Sequence, residues 1–178
     1  MFHKDVIIAG FGGQGVLLAG KLIAWAGMLE GLHVTWFPSY GAEMRGGTAN
    51  CTVVLSNEDI GSPVVDRPGA LIALNQASLD RFMPRVMKGG LVVVNSSLVK
   101  KMKQVKGVRL VPVPANDIAA ELGDARTLNI VMLGAYLKAS GAIGLPSVVR
   151  ALADMLPERH KGLLPVNMRA LARGYELI

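Results

Sequence analysis

An α/β domain with a mostly parallel sheet flanked by helices is the fold this sequence predicts, and three observations predict it. A short apolar run, Asp5–Ala9, stops abruptly at glycines, as a buried strand does. From Gln14 to Glu30 the residues Val16, Leu17, Ile23, Ala24 and Met28 recur near helical spacing, and Gly31 ends that pattern before a second strand-like run, His33–Phe37. Short apolar runs then continue to Val113, after which the spacing is helical to the C-terminus. Strand, glycine turn, helix and strand in that order form a βαβ unit, which favours a right-handed crossover and a parallel, Rossmann-like sheet.

The remaining elements follow in order. Pro38–Gly47 reads as a loop, Thr48–Ser56 as a β-branched strand, and Asn57–Gly69 as a turn-rich connection. Ala70–Leu74 and Leu91–Val94 are two more buried strands, separated by a helix that starts near Gln76 and closes at Lys88-Gly89-Gly90. Val108–Val113 is the last strand, and Pro112 and Pro114 place it at a sheet edge or strand end. Four helices are expected at 115–122, 127–139, 146–155 and 165–177, with Thr127, Ser147 and Asn167 near their starts and Pro146 and Pro165 in first turns. No repeat, linker or low-complexity segment interrupts the chain, so residues 1–178 are expected to form a single domain.

Composition narrows the function. The hydrophobic fraction is 51% and the charged fraction 18%, against roughly 25% charged in ordinary soluble domains. Either many strands are buried on both faces, or another subunit covers part of the surface. No apolar stretch reaches the length of a bilayer crossing, and Asp5 with the glycines interrupts any signal-like start, so an uncleaved cytoplasmic protein is expected. The single cysteine, Cys51, lies in an apolar strand and excludes both an intrachain disulfide and a self-contained cysteine-ligated cluster. It reads as a buried, inert thiol. No metal site is expected, and His3, His33 and His160 are scattered.

The net charge is +6, and its densest patch is Lys100-Lys101-Met102-Lys103 with Lys106 close behind. That patch is either a solvated loop or an attractor for a polyanion such as a nucleotide-bearing cofactor or an acidic protein. Nucleic acid is not expected, since no aromatic residues interleave the lysines.

The first motif is Gly10-Phe11-Gly12-Gly13-Gln14-Gly15, a Gly-x-Gly-x-x-Gly turn between a strand and a helix. Glycines there permit positive φ and close approach of a ligand, and the helix start favours an anion. A dinucleotide site also needs an acid at the end of the second strand, where this chain has Trp36-Phe37-Pro38; Glu30 precedes that strand, at the wrong end. No Gly-Lys-Ser/Thr follows the turn, so it is not a P-loop. A stand-alone dinucleotide-binding oxidoreductase domain is therefore the alternative reading, and a packing-only role for the glycines within an interaction module is a third.

The second motif is Ser39-Tyr40-Gly41-Ala42-Glu43-Met44-Arg45-Gly46-Gly47. It sets one acid and one base on a glycine-flanked loop after the second strand, at the carboxyl edge where α/β sheets bind ligands. Asn75-Gln76 and Asn95-Ser96-Ser97 add polar groups at other strand ends on that edge. Singly, Glu43 and Arg45 are ordinary exposed charges and Asn95 a turn cap; together they point to a binding surface.

With GFGGQGV and PSYGAEMRGGTANC in place, the chain resembles the gamma subunit of 2-oxoacid:ferredoxin oxidoreductases. The likeness continues through Ile60–Pro63, Leu71–Phe82, Gly89–Val99 and Asn129–Leu137, and its details most resemble the 2-oxoglutarate branch. The resemblance implies a complex that converts a 2-oxoacid and coenzyme A into an acyl-CoA and CO2, passing two electrons to ferredoxin. It implies alpha, beta and ferredoxin-like delta partner chains holding thiamine diphosphate, Mg2+ and iron–sulfur clusters, with no cofactor bound by this chain alone. In agreement, the thiamine motif is absent, because Gly123-Asp124 leads into Ala125 with no asparagine pair beyond it. Catalytic residues are not expected here. Gly10, Gly12, Gly13, Gln14 and Gly15, with Ser39, Tyr40, Glu43, Arg45, Gly46 and Asn95, are expected to support a partner's active site or contact its ligand.

Overall fold

The computed structural model describes residues 2–40 and 47–178. In chain order the elements are β1 (His3–Phe11), α1 (Val16–Leu29), β2 (His33–Tyr40), β3 (Thr48–Ser56), β4 (Ala70–Ala73), α2 (Gln76–Phe82), β5 (Leu91–Asn95), β6 (Arg109–Val113), α3 (Ala115–Glu121), α4 (Leu128–Ser140), α5 (Leu145–Met155) and α6 (Leu164–Glu176). Among the described residues six strands form one sheet in the order β2-β3-β1-β4-β5-β6. The pairs β1–β4, β4–β5 and β5–β6 are parallel.

β4 and β5 are buried at every position, the near-continuous apolar pattern of strands covered on both faces. Val6 and Ile8 of β1 face one layer, with α1 and α3 to α6. Ile7 and Ala9 face the other, with Leu79 and Phe82 of α2. The two layers are unequal, because among the described residues α2 is the one α-helix contributing to the second core, joined by Met83 of the 3-10 turn that follows it. β6 is an edge strand, and Pro112 lies within it, as an edge permits.

α4 is apolar all round, with Leu128 to Leu137 buried, because α6 closes over the side that the sheet does not cover. Glycines set the approach of these two helices. A Cβ at Gly174 would meet the Val131 carbonyl, and one at Gly134 would meet the Leu171 carbonyl.

Three sequence expectations are corrected in detail. The first βαβ unit does not set β1 beside β2. β3 returns antiparallel between them, pairing with both, since the short connection after Tyr40 makes β2 and β3 a hairpin. Pro38–Tyr40 is strand rather than loop; on an edge strand the missing proline N–H breaks no ladder bond. Helix starts are capped by other residues than expected. The Thr127 hydroxyl donates to the Asp124 carbonyl and the Asn167 amide donates to the Leu163 carbonyl. Asn75 instead accepts from Ser78 N–H at the start of α2 (2.9 Å), and Asp124 accepts from Arg126 N–H (3.0 Å). No helix among the described residues is long and apolar enough to cross a membrane.

Candidate functional site

The carboxyl ends of β1, β4, β5 and β6 share one edge, and the β2–β3 connection joins it, because Tyr40 lies opposite Ala49 and Phe11 opposite Thr48. The glycine turn is the centre of that edge. Its conformation is fixed by a side chain inside the motif. Gln14 Oε1 accepts from Phe11 N–H (2.7 Å) and from the Asn75 amide (3.0 Å), while Gln14 N–H donates to the Phe11 carbonyl (3.1 Å). Gly10 has no room for a side chain: a Cβ would lie 2.7 Å from Gln14 Oε1 and 2.9 Å from Val16 Cγ2. Gly15 caps α1 in the left-handed region at φ 75°. Its carbonyl accepts from the Asn129 amide (3.1 Å), and a Cβ there would overlap that amide.

The decisive contact is between loops. Gly12 N–H donates to the Gly47 carbonyl at 2.9 Å, so the end of the second motif is tied to the middle of the first. The sequence brought these motifs to one edge; this bond makes them one surface.

That bond also limits which N–H groups of the turn remain open to a ligand. The N–H groups of Gly12 and Gln14 are spent inside the turn. Among the described residues, Gly13 and Gly15 N–H have no recorded partner, and the first turn of α1 adds N–H groups without intrahelical acceptors. Beside them lies a hollow of about 330 Å³ bordered by Phe11, Gly13, Val16, Leu17, Leu18 and Ala49. Phe11 and Leu18 are half-exposed, and no described acid, base or nucleophile borders the hollow. The arrangement can seat an apolar group next to a few N–H donors. Among the described residues it offers no bond-making chemistry.

The other predicted residues divide. Ser39 is exposed on β2, opposite Asn50. Tyr40 closes β2, while its side chain, and Glu43, Arg45 and Gly46 altogether, lie outside the described residues. Asn95 is fully buried rather than displayed on the edge. Its amide donates to the Leu74 carbonyl (3.2 Å) and to Asn116 Oδ1 (2.7 Å), and its Oδ1 accepts from Ser97 N–H (3.3 Å). It braces the ends of β4 and β5 from inside.

Sequence reading passed over the buried amides of Asn75 and Asn129 as parts of the turn, although both hold it. The signal for Asn129 is a lone amide in LNIVMLGAYL, a helix with no polar face to place it on.

Cys51 has the environment of an inert thiol. It is fully buried, its Sγ lies 3.6 Å from the Val16 carbonyl, and burial pushes its pKa up to about 12. No group of three or more metal-ligating side chains occurs among the described residues. Geometry also weighs against a dinucleotide. With β3 inserted, β2 stands two strand spacings from β1, about 10 Å, so its end is displaced from where a ribose-binding acid belongs.

Residues 5–177 match the model of the family described as pyruvate ferredoxin/flavodoxin oxidoreductase. The chain belongs to this family. Within it, the chain is 44% identical over 173 residues to the ketoisovalerate oxidoreductase subunit VorA of Methanothermobacter thermautotrophicus, covering 96% of this chain and 35% of that protein. It is 35% identical over 179 residues to the 2-oxoglutarate synthase subunit KorC of Methanocaldococcus jannaschii, covering 98% of this chain and 94% of the relative. The keto/oxoacid ferredoxin oxidoreductase gamma subunit of Geobacter sulfurreducens has a similar structure, with a TM-score of 0.84 at 27% identity over 97% of this chain and 96% of that one. This pyruvate ferredoxin/flavodoxin oxidoreductase domain thus spans about a third of the VorA relative and nearly all of the KorC relative.

Proposed function

We propose that this chain is the gamma-type subunit of a thiamine-diphosphate-dependent 2-oxoacid:ferredoxin oxidoreductase, and that its two joined loops abut an active site built by partner chains. The observation that carries the reading is the Gly12–Gly47 bond, which makes one surface of two motifs that border no described catalytic group. The complex takes a 2-oxoacid, coenzyme A and oxidised ferredoxin to an acyl-CoA, CO2 and reduced ferredoxin. Its alpha, beta and delta chains hold the thiamine diphosphate, Mg2+ and iron–sulfur clusters. Cys51, single and buried in its protonated state, fits no cluster, so no redox step is assigned to this chain. When bound, thiamine diphosphate supplies the stabilised carbanion chemistry of decarboxylation.

This chain positions and shields. Gly13 and Gly15 N–H, with the start of α1, meet an anionic group of ligand or cofactor, while Arg45 adds a fixed positive charge oriented by Glu43. Phe11 and Leu18 seat the apolar rim of the partner. We assign the 2-oxoglutarate branch. The 44% identity to a ketoisovalerate oxidoreductase subunit favours a second reading, a branched-chain 2-oxoacid.

Reconstitution with the partner chains tests both levels. Relative kcat/KM on 2-oxoglutarate and 2-oxoisovalerate decides the substrate. Arg45→Ala is expected to raise KM for the 2-oxoacid or coenzyme A, or lower kcat, by about tenfold or more; unchanged values for all three remove Arg45 from the role. Leu18→Glu is expected to leave the stability of the isolated chain within about 0.5 kcal/mol and to weaken assembly by about tenfold or more. Normal assembly of that variant would place the partner elsewhere.

A further inference from the structure

The lysine patch singled out in the sequence belongs to a groove that the proposed function leaves unused. The segment from Lys100 to Gly107 is exposed at every residue, yet it is held at both ends. Gln76, at the start of α2, accepts through Oε1 from the N–H groups of Lys100 (3.2 Å) and Lys101 (3.0 Å), and its amide donates to the Lys101 carbonyl (3.0 Å). At the far end the Gly107 carbonyl accepts from Gly89 N–H (2.6 Å).

Between this pinned strap and α2 lies a groove of about 480 Å³. Leu79 and Met83, both buried, lie in it with Pro84, and Lys101, Lys103 and Val105 border it. Val105 at 38% exposure and Met102 at 37% leave apolar surface open along the strap, alternating with the lysines. The acid bordering the groove is Asp80, and one of its carboxylate oxygens already accepts from the Gln76 amide (3.0 Å). Four lysines and no acid occupy residues 100–106.

The geometry points to a docking groove for an acidic segment of another protein that carries apolar side chains, its carboxylates meeting Lys100, Lys101, Lys103 and Lys106 and its apolar residues entering over Leu79 and Met83. Charge complementarity chooses the sign of the occupant, and the apolar floor chooses its kind. A nucleotide would want an aromatic platform for its base and forked or backbone donors for its phosphates. The residues bordering this groove include no aromatic ring and no arginine. Lysine ammonium groups are mobile point charges that match scattered carboxylates. They also act at range: at physiological ionic strength their field extends about 8 Å, enough to steer an acidic partner before contact.

The test uses the full chain and defined probes. Fluorescent peptides of roughly fourteen residues, long enough to lie along α2 as about four helical turns, carry Glu and Leu at alternating or at helical spacing. An all-Glu peptide, ADP, inorganic diphosphate and phosphatidylserine vesicles are compared with them. At least one Glu–Leu peptide is expected to bind about tenfold more tightly than the all-Glu peptide and to weaken as salt rises. Lys101→Glu with Lys103→Glu, both exposed and outside the core, is expected to cost about tenfold or more while leaving the circular dichroism unchanged. Gln76→Ala, which frees the strap, is expected to weaken binding with all four lysines retained. The proposal falls if no Glu–Leu peptide exceeds the all-Glu peptide, or if the double reversal leaves binding unaltered. It falls equally if ADP, diphosphate or the vesicles bind more tightly than every peptide.

Discussion

The two ends of the parallel strands carry two hollows of similar size and opposite construction. At the amino edge a hollow of about 400 Å³ is bordered by the charged Lys4, Asp5, Lys88 and Arg109, with His3 and Ser140 beside them. At the carboxyl edge a hollow of about 330 Å³ has no charged side chain on its described border. By size and charge the first would be chosen as the site. Yet both edges are tied: at the amino edge Asp5 Oδ1 accepts from Gly69 N–H (2.7 Å), Arg109 donates to the Ala139 carbonyl (3.2 Å), and backbone bonds run from Leu91 N–H to the Gly69 carbonyl and from Arg109 N–H to the Gly90 carbonyl (both 2.9 Å). What sets the carboxyl edge apart is that its ties converge on one turn: Gly12 N–H donates to the Gly47 carbonyl, Gln14 Oε1 accepts from Phe11 N–H and the Asn75 amide, and the Gly15 carbonyl accepts from the Asn129 amide. A surface offered to a partner's active site needs fixed shape more than it needs charge of its own. The comparison can be broken at either end.

The largest effect is expected at Gly15. An alanine there is strained at φ 75° and overlaps the Asn129 amide, so Gly15→Ala should cost about 2–4 kcal/mol. A fall in the urea midpoint at unchanged slope measures it. A shift within noise would mean that the turn is adaptable rather than preorganised. Gln14→Ala comes next. It leaves Phe11 N–H and the Asn75 amide without their acceptor, at about 1–3 kcal/mol. Gln14→Glu retains an acceptor oxygen and should recover part of that loss; no recovery would assign the effect to packing.

How much of this was legible in the sequence follows from where the constraint resides. β1, β4, β5 and α4 read directly because burial on both sides leaves an unbroken apolar run. The glycine turn read equally well, since positive φ and crowding leave few residue choices. The insertion of β3 between β1 and β2 did not read, because pairing partners depend on which edges are free, and local spacing does not encode that. The same holds for Asn95. Its type suits a displayed amide or an internal brace, and only the positions of Leu74 and Asn116 decide for the brace.

A smaller effect probes the layer beneath the turn. Cys51 lies under the start of α1, and its thiol ionises near 12 in the fold against 9.0 when unperturbed. The folded value is the higher one, so this contribution to stability is complete below pH 9 and is lost as pH rises toward 12. The loss is at most about 1.4 kcal/mol per pH unit. Denaturant midpoints across that window, compared with Cys51→Ala, isolate it. Tyr136, also raised by burial, adds a similar decline at higher pH that the variant retains. An identical pH slope in both proteins would show that water reaches the thiol and that the carboxyl edge is less closed than its hydrogen bonds indicate.

The smallest effect belongs to the amino edge and is the most useful control. Lys88 and Lys4 border its hollow and form no side-chain hydrogen bond or ion pair among the described residues, and exposed charges of that kind contribute within about 0.5 kcal/mol. Lys88→Ala and Lys4→Ala should therefore leave both the urea midpoint of the chain and the turnover of the reconstituted complex near the unmodified values. Arg109→Ala should do slightly more to stability, a few tenths to about 1 kcal/mol, because Arg109 meets a carbonyl in the last turn of α4. It too should leave turnover unchanged. If removing any of these charges slows the complex while the midpoint stays put, the functional surface lies at the amino edge. The backbone ties around Gly12 would then serve the fold alone.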